Sequence, residues 1–205
     1  YDLPMALGIL AATEQIAMPR LSEFLVVGEL ALNGGVRPTR GILSMALLAR
    51  AMRKAGVIVP RDNAGEAAVV RGIEVYGVAS LRECAEFLSG KIQLQPETRD
   101  LQQLFTNCSR YDVDFSDVKG QEHVKRAIEV AVAGGHNILL LGPPGSGKSM
   151  LSKRLPTISP PMTLEEALET TRIHSVAGTL PPHQAIVATR PFRSPHHTIS
   201  DIALT

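Results

Sequence analysis

The residues that could do chemistry are concentrated in "GPPGSGKS", Gly142 to Ser149. Gly142, Gly147, Lys148 and Ser149 satisfy G-x-x-x-x-G-K-S/T, with the apolar run "NILLL" before them and "MLSKRL" after. The glycines permit positive φ, so successive N–H groups can approach phosphate oxygens. A helix opening at Lys148 would aim its positive dipole end at the same anion. The Lys148 ammonium suits the β- and γ-phosphates of ATP, and the Ser149 hydroxyl suits a coordination position on Mg²⁺. Pro143 and Pro144 stiffen the entry to the loop. The expected nucleotide-binding residues are Gly142, Pro143, Pro144, Gly145, Ser146, Gly147, Lys148, Ser149 and Met150, with Ser149 also the metal ligand.

A second stretch, "DFSDVKGQEHVKRAI", precedes the loop. A turn followed by a helix ahead of the loop strand is where many nucleotide ATPases hold adenine. Val118, Gly120 and Gln121 are the expected adenine rim, against the plainer alternative of an ordinary amphipathic helix start.

Positioning these groups requires elements on both sides. "EHVKRAIEVAVAGGH" places Val124, Ile128, Ala131 and Val132 on one helical face and ends at Gly134-Gly135. "NILLL" reads as a central parallel strand. The helix from Lys148 should stop at Pro156, and Thr163 with Glu166 predicts a capped helix over "TLEEALETTRIHS". "AIVAT" is a short strand candidate.

Upstream, "FLVVGELAL" reads as a strand and Asn33-Gly34 as a hairpin turn. "GILSMALLARAMRKAG" predicts a helix with Leu43, Ala46, Leu47 and Met52 on its inner face and Gly56 as its stop. "VIVP", "AGEAAVV" and "EVYGV" read as strand, short helix and strand, and Ser80 with Glu83 forms a capping box opening "SLRECAEFL". Residues 91–113 are polar and weakly periodic, with a short helix at "TRDLQQLF".

Composition narrows the class. The 205 residues are 44% apolar and 20% charged with a formal net charge of +1, which argues against a surface coated for nucleic acid while leaving room for a local basic patch. Scarce aromatics, with no Trp, argue against a base-stacking platform. Cys84 and Cys108 lack C-x-x-C spacing and read as reduced thiols of a cytoplasmic protein. No run approaches the roughly 18 apolar residues of a membrane span. The chain opens on Tyr1 and stops at "DIALT", and reads as an internal piece of a longer protein.

The run from "DFSDVKGQ" through "GPPGSGKSMLSKRLPTISPPMT", with "IHSVAGTLP" and "RPFRSPHHTISDIAL", resembles the AAA+ ATPase module of the Mg-chelatase-like family, ComM type. "DLPMALGILAA" and "GELALNGGVRPTRGILSMALLARAMRKAG" resemble that family's leading domain, which is related to the Lon protease domain. The resemblance covers essentially the whole chain. It implies an α/β protein: a truncated Lon-protease-like α+β domain over 1–90, a linker over 91–113, and the first part of a P-loop AAA+ parallel-sheet domain over 114–205. It places Asp2 and Leu43 where the Lon Ser–Lys dyad would stand, and neither can serve as nucleophile or base. Ser22, Ser44 and Lys54 are nearby without occupying those places. Hydrolysis also needs an acidic Walker B pair and an arginine finger. No run after Ser149 reads as four apolar residues followed by Asp-Glu, so this segment is expected to bind ATP without turning it over, and no catalytic residue is assigned within it.

The function the resemblance implies is an ATP-dependent motor acting on DNA, a hexameric homo-oligomeric ring of branch-migration type serving natural transformation. A magnesium chelatase ATPase subunit, or a non-catalytic nucleotide-binding or assembly module, are the alternatives. His174, His183, His196 and His197 invite a metal reading, but adjacent histidines rarely ligate one ion from the same side of a strand; a loop packing on an assembly partner is the plainer expectation. Arg190 and Arg193 flank Phe192 and could meet nucleic acid or a neighbouring subunit. Arg50, Arg53 and Lys54 read as a solvated, basic helix end.

Overall fold

The structure, a computed structural model, describes residues 1–181 and 184–195. In chain order the elements are helix α1 (Asp2–Ala12), strands β1 (Phe24–Val26), β2 (Glu29–Leu30) and β3 (Val36–Arg37), helix α2 (Ile42–Ala51), strand β4 (Gly56–Pro60), helix α3 (Ala64–Ala67), strand β5 (Glu74–Val78), and helices α4 (Leu81–Leu88), α5 (Leu101–Cys108), α6 (Glu122–Gly134), α7 (Lys148–Ile158) and α8 (Leu164–Ala177). They fall into two compact units, neither continuous in sequence: 1–108 with 164–187, and 109–163 with 188 onward.

The first unit is a three-layer sandwich. Its parallel sheet runs β1-β4-β5, with Val26 opposite Ile58 and Ile58 opposite Tyr76. Strand alternation sends Leu25, Val57, Val59 and Val75 to one face, where α2 and α3 pack. Phe24, Val26, Ile58, Tyr76 and Val78 point to the other, against α1 and α4. A parallel strand covered on both faces must be apolar throughout, which accounts for "VIVP". Each fully buried Val or Ile contributes about 1.5–3 kcal/mol. On the second face Phe24, Tyr76 and Phe87 form a ring cluster with centroids 4.7–5.7 Å apart. Tyr76 donates to Glu74 Oε2 at 2.7 Å, and burial, reinforced by that carboxylate, pushes its hydroxyl pKa up to about 12. The hairpin forms as expected: Gly34 turns at φ +82°, and Asn33 Oδ1 accepts from Gly35 N at 3.1 Å.

A polar hub holds the helices of the first face. Helix α2 begins at Gly41 without a capping side chain of its own. Glu66 of α3 takes that role, accepting from Leu43 N at 2.9 Å, from Asn63 Nδ2 at 3.3 Å and from the Ser175 hydroxyl of α8. A carboxylate there meets the otherwise unpaired first-turn amides and the helix dipole together. Asn63 also pairs with the Thr39 main chain through two hydrogen bonds, of 3.0 and 3.1 Å.

Several expectations are corrected. The parallel sheet expected after residue 114 is absent from the second unit among the described residues; the parallel sheet is in the first. "NILLL" pairs with no strand there, and Leu139 and Leu141 are 78% and 85% exposed, because no described residue offers it a ladder of hydrogen bonds. "AIVAT" is buried over Ala185–Ala188 yet forms no strand; Val187 N donates to Thr171 Oγ1 at 2.8 Å instead. Gly56 does not stop α2: Arg53, at φ +54°, turns the chain, and Met52 lies beyond the helix, exposed. Pro156 does not end α7. The helix runs on to Ile158, and in its last turn Thr157 Oγ1 donates to Arg154 O (2.8 Å) and Ser159 Oγ to Leu155 O (3.1 Å). The Ser80 box is half made: Ser80 Oγ accepts from Glu83 N, while Glu83 accepts from Ala79 N and Arg61 at 2.7 Å each.

Two outcomes follow. A Cβ at Gly56 would sit 2.9 Å from Glu74 O and 2.9 Å from the Phe24 ring, so Gly56→Ala should cost about 1–3 kcal/mol in denaturant titrations. Cys84 is buried with its thiol pKa pushed up to about 12, chiefly by desolvation; a disulfide reagent at pH 8 should label it only after unfolding, counted by absorbance in native and denaturing buffer.

Candidate functional site

In the second unit α7 starts at Gly147, which is left-handed (φ +85°) and offers no capping side chain. The first main-chain bond into the helix is Leu151 N to Gly147 O, 2.9 Å. The amides of Lys148, Ser149 and Met150 therefore leave the helix end without intrahelical partners. Gly145 is also left-handed, at φ +82°, and Ser146 N closes a turn onto Pro143 O at 3.3 Å. The loop wraps the Lys148 ammonium, which donates to Gly142 O and Pro143 O at 2.8 Å each and to Ser146 Oγ at 3.2 Å. All three ammonium protons are thereby directed inside the loop. A Cβ on Gly142 would lie 2.9 Å from Ser146 Oγ, so a side chain there would make that hydroxyl turn away from its contact with Lys148.

The segment before α6 lies against α7. Phe115 and Val118 are buried with Ile128 of α6 and Leu151 of α7. Phe115 N donates to Thr157 Oγ1 at 3.1 Å, and Arg154 Nε to Asp114 O at 2.9 Å, with Asp117 3.5 Å from the same guanidinium. Asp114 and Asp117 form a reciprocal capping box around a short 3₁₀ turn. Lys125 Nζ holds Val118 O at 3.2 Å, and Gln121 Nε2 reaches Ser146 O at 3.4 Å. Of Val118, Gly120 and Gln121, only Gln121 has a contact with the loop; a Cβ at Gly120 would meet nothing within 4 Å. Val118 is buried in the small core, whereas Gln121 is exposed and turned to the loop backbone. Arg154 and Thr157, which pin this segment, carry no motif and were not legible in the sequence.

The other tempting residues are held locally. Arg190 Nε donates to Pro160 O at 2.6 Å, and its main-chain N to the Tyr111 hydroxyl at 2.9 Å. His174 Nδ1 meets Thr179 Oγ1 at 2.9 Å. His183, His196 and His197 lie outside the described residues, among which no cluster of three metal-ligating side chains occurs. Arg50 donates to Arg71 O (3.3 Å) and Lys54 to Ser22 O (2.6 Å), so that helix end is tied to nearby carbonyls. No described helix is long and apolar enough to cross a membrane. Asp2 sits in the first turn of α1, and Leu43 is fully buried.

Comparison with known proteins bears on this arrangement. The family model described as magnesium chelatase, subunit ChlI, matches residues 114–205, and that described as subunit ChlI of Mg-chelatase matches 1–63. The chain is 41% identical over 206 residues to "Competence protein ComM" of Haemophilus influenzae, covering 100% of this chain and 40% of that protein. It is 42% identical over 207 residues to "Uncharacterized protein YifB" of Escherichia coli, covering 100% and 39%. An 84-residue stretch, 40% of this chain and 8% of the other, is 33% identical to an archaeal Lon protease of Pyrococcus abyssi. The phosphate-loop sequence and the full-length similarity agree on a class of AAA+ character. The chain belongs to the magnesium-chelatase-like family, ComM type, and spans about 40% of the length of the curated relatives it matches.

The Asp114 carboxylate is held below its ordinary value of 3.8, first by the Ser116 hydrogen bonds and then by Arg154. Its contribution to the 114–121 segment is complete above that value and is lost as pH falls through the lower folded one. The denaturation midpoint should therefore drop on acidification below about pH 4, and Asp114→Asn should lower it at neutral pH while flattening that acid limb.

Proposed function

We propose that this chain binds the triphosphate of ATP at Gly142–Ser149. The observation that carries the reading is the Lys148 ammonium gathered inside a loop whose C-terminal flank is a set of outward amides. The residues fit the group: amides at Gly145, Gly147, Lys148, Ser149 and Met150 to donate to phosphate oxygens, an ammonium to neutralise them, and the Ser149 hydroxyl for Mg²⁺. Pro143 and Pro144 fix the approach. Lys148 would exchange the Gly142 and Pro143 carbonyls for phosphate oxygens, a charge-assisted replacement. Bound Mg²⁺ would neutralise charge on the β- and γ-oxygens.

We assign hydrolysis to the whole protein, as an AAA+ ATPase, because no run after Ser149 reads as four apolar residues followed by Asp-Glu, the pattern that would polarise an attacking water. Similarity along the full chain to a competence protein supports a DNA-acting ring motor. The descriptions of both matching family models favour a second reading, a magnesium chelatase ATPase subunit; it is placed second because a competence protein is similar along the whole of this chain.

Calorimetric titration of ATP with Mg²⁺ tests the binding. Lys148→Ala should weaken it about a hundredfold, and retained affinity would show that another segment holds the nucleotide. For the whole protein, ATPase activity should rise with branched or single-stranded DNA at low salt, where phosphate contacts are strongest. Absence of any DNA binding there, with a porphyrin-handling partner co-purifying, would transfer the assignment to the chelatase reading.

A further inference from the structure

We infer that Gln121 is a positioning residue for the phosphate loop, acting on polyphosphate affinity through the loop's main chain and making no contact with the base. The inference rests on the phosphate-loop reading above and assigns this residue a different role within it from the adenine rim expected from sequence.

Four observations carry it. First, Gln121 heads α6 but gives its helix no side-chain cap. Its amide is used elsewhere, on Ser146 O at 3.4 Å. Second, that carbonyl belongs to the residue immediately before Gly147, where the chain turns left-handed into α7. A Cβ at Gly147 would lie 3.6 Å from Gln121 Nε2, so the side chain packs over the turn that aims the following amides. Third, Gln121 adopts φ +57°, ψ +40°, directly after Gly120 at φ +69°. Left-handed backbone is uncommon for a residue with a Cβ, so the surroundings must hold it there. Fourth, the stretch leading to Gln121 is anchored to the far half of α7 through Asp114, Phe115 and Val118.

The segment 114–121 is thus fastened to α7 at one end and to the loop at the other. Its side-chain amide sets the Ser146–Gly147 peptide, and that peptide determines where the amides of Gly147 and Lys148 point. Phosphate binding by main-chain groups depends on their convergence, so loosening the peptide should weaken any polyphosphate, whether or not it carries a base.

The test compares ATP with inorganic tripolyphosphate, both with Mg²⁺, by calorimetry on the same chain. Gln121→Gly keeps the left-handed backbone accessible while deleting the amide, and Gln121→Glu keeps the length while removing the donor. Both variants should lose affinity about three- to tenfold, equally for ATP and tripolyphosphate, with an unchanged unfolding midpoint for Gln121→Gly. Loss on ATP alone would make Gln121 a base contact and overturn the inference, as would unchanged affinity for both ligands. If the wild-type chain bound neither ligand, the phosphate-loop reading would fall and this inference with it.

Discussion

The first turn of α7 has amides with no acceptor within the helix, and the second unit is arranged around that fact. An unpaired donor enclosed in protein costs about 1–3 kcal/mol, so three or four of them cannot be buried without partners. The fold keeps them at the surface: Ser149 and Met150 are exposed, and Gly147 and Lys148 half-buried. Once exposed, the loop needs another source of order, since glycines lose much conformational entropy when fixed. Lys148 supplies it by folding back onto Gly142 O and Pro143 O. The same ammonium that would neutralise a polyphosphate therefore organises the loop. This economy depends on Gly145 and Gly147 remaining left-handed.

The first unit follows a different logic. Its stability comes from a sheet buried on both faces, where fully covered Val57, Ile58, Val59, Val75 and Val78 together outweigh any polar contact by several-fold on area grounds. Polar groups decide which helix goes where. Helix α8 buries a narrow stripe of small residues, Ala167, Thr171 and Ser175, at successive spacings of four. Such a stripe allows close approach but little hydrophobic gain. Each polar member finds a partner: Thr171 Oγ1 donates to Ala167 O at 2.6 Å and accepts from Val187 N, and Ser175 donates to Glu66. Glu66 serves α2, α3 and α8 together, so burial supplies the magnitude and this carboxylate supplies the specificity.

What the sequence disclosed and what it hid divide along the range of the interactions. The hairpin at Asn33-Gly34, the buried strand after Gly56, the α6 face and the glycine turn opening a helix at Lys148 are set by residues within a turn or two of one another, and were legible. Glu66 capping α2 from 23 residues away, or Thr157 receiving Phe115 N from 42 away, leaves no local trace. Misreadings have the same origin. Pro156 looks like a stop until Thr157 and Ser159 satisfy the carbonyls around it. "NILLL" has the composition of a central strand, but strand state belongs to a pair of segments, and no described neighbour supplies its ladder. The contact of Gln121 with Ser146 O was hidden because a left-handed glutamine cannot be read from residue type.

Asp2 and Leu43, the residues aligned with the Lon dyad places, each have a local structural role. Leu43 is fully enclosed among Ile42, Ala46 and the valines of β4, while its main-chain N–H binds Glu66. A lysine there would take an ammonium into hydrocarbon, a cost that neutralisation or rearrangement must relieve. Asp2 occupies the first turn of α1, where a negative charge is favourable to the helix dipole. Each residue therefore has a local physical reason to be what it is. A lysine at position 43 would disturb the core, whereas position 2 is exposed and leaves the core untouched.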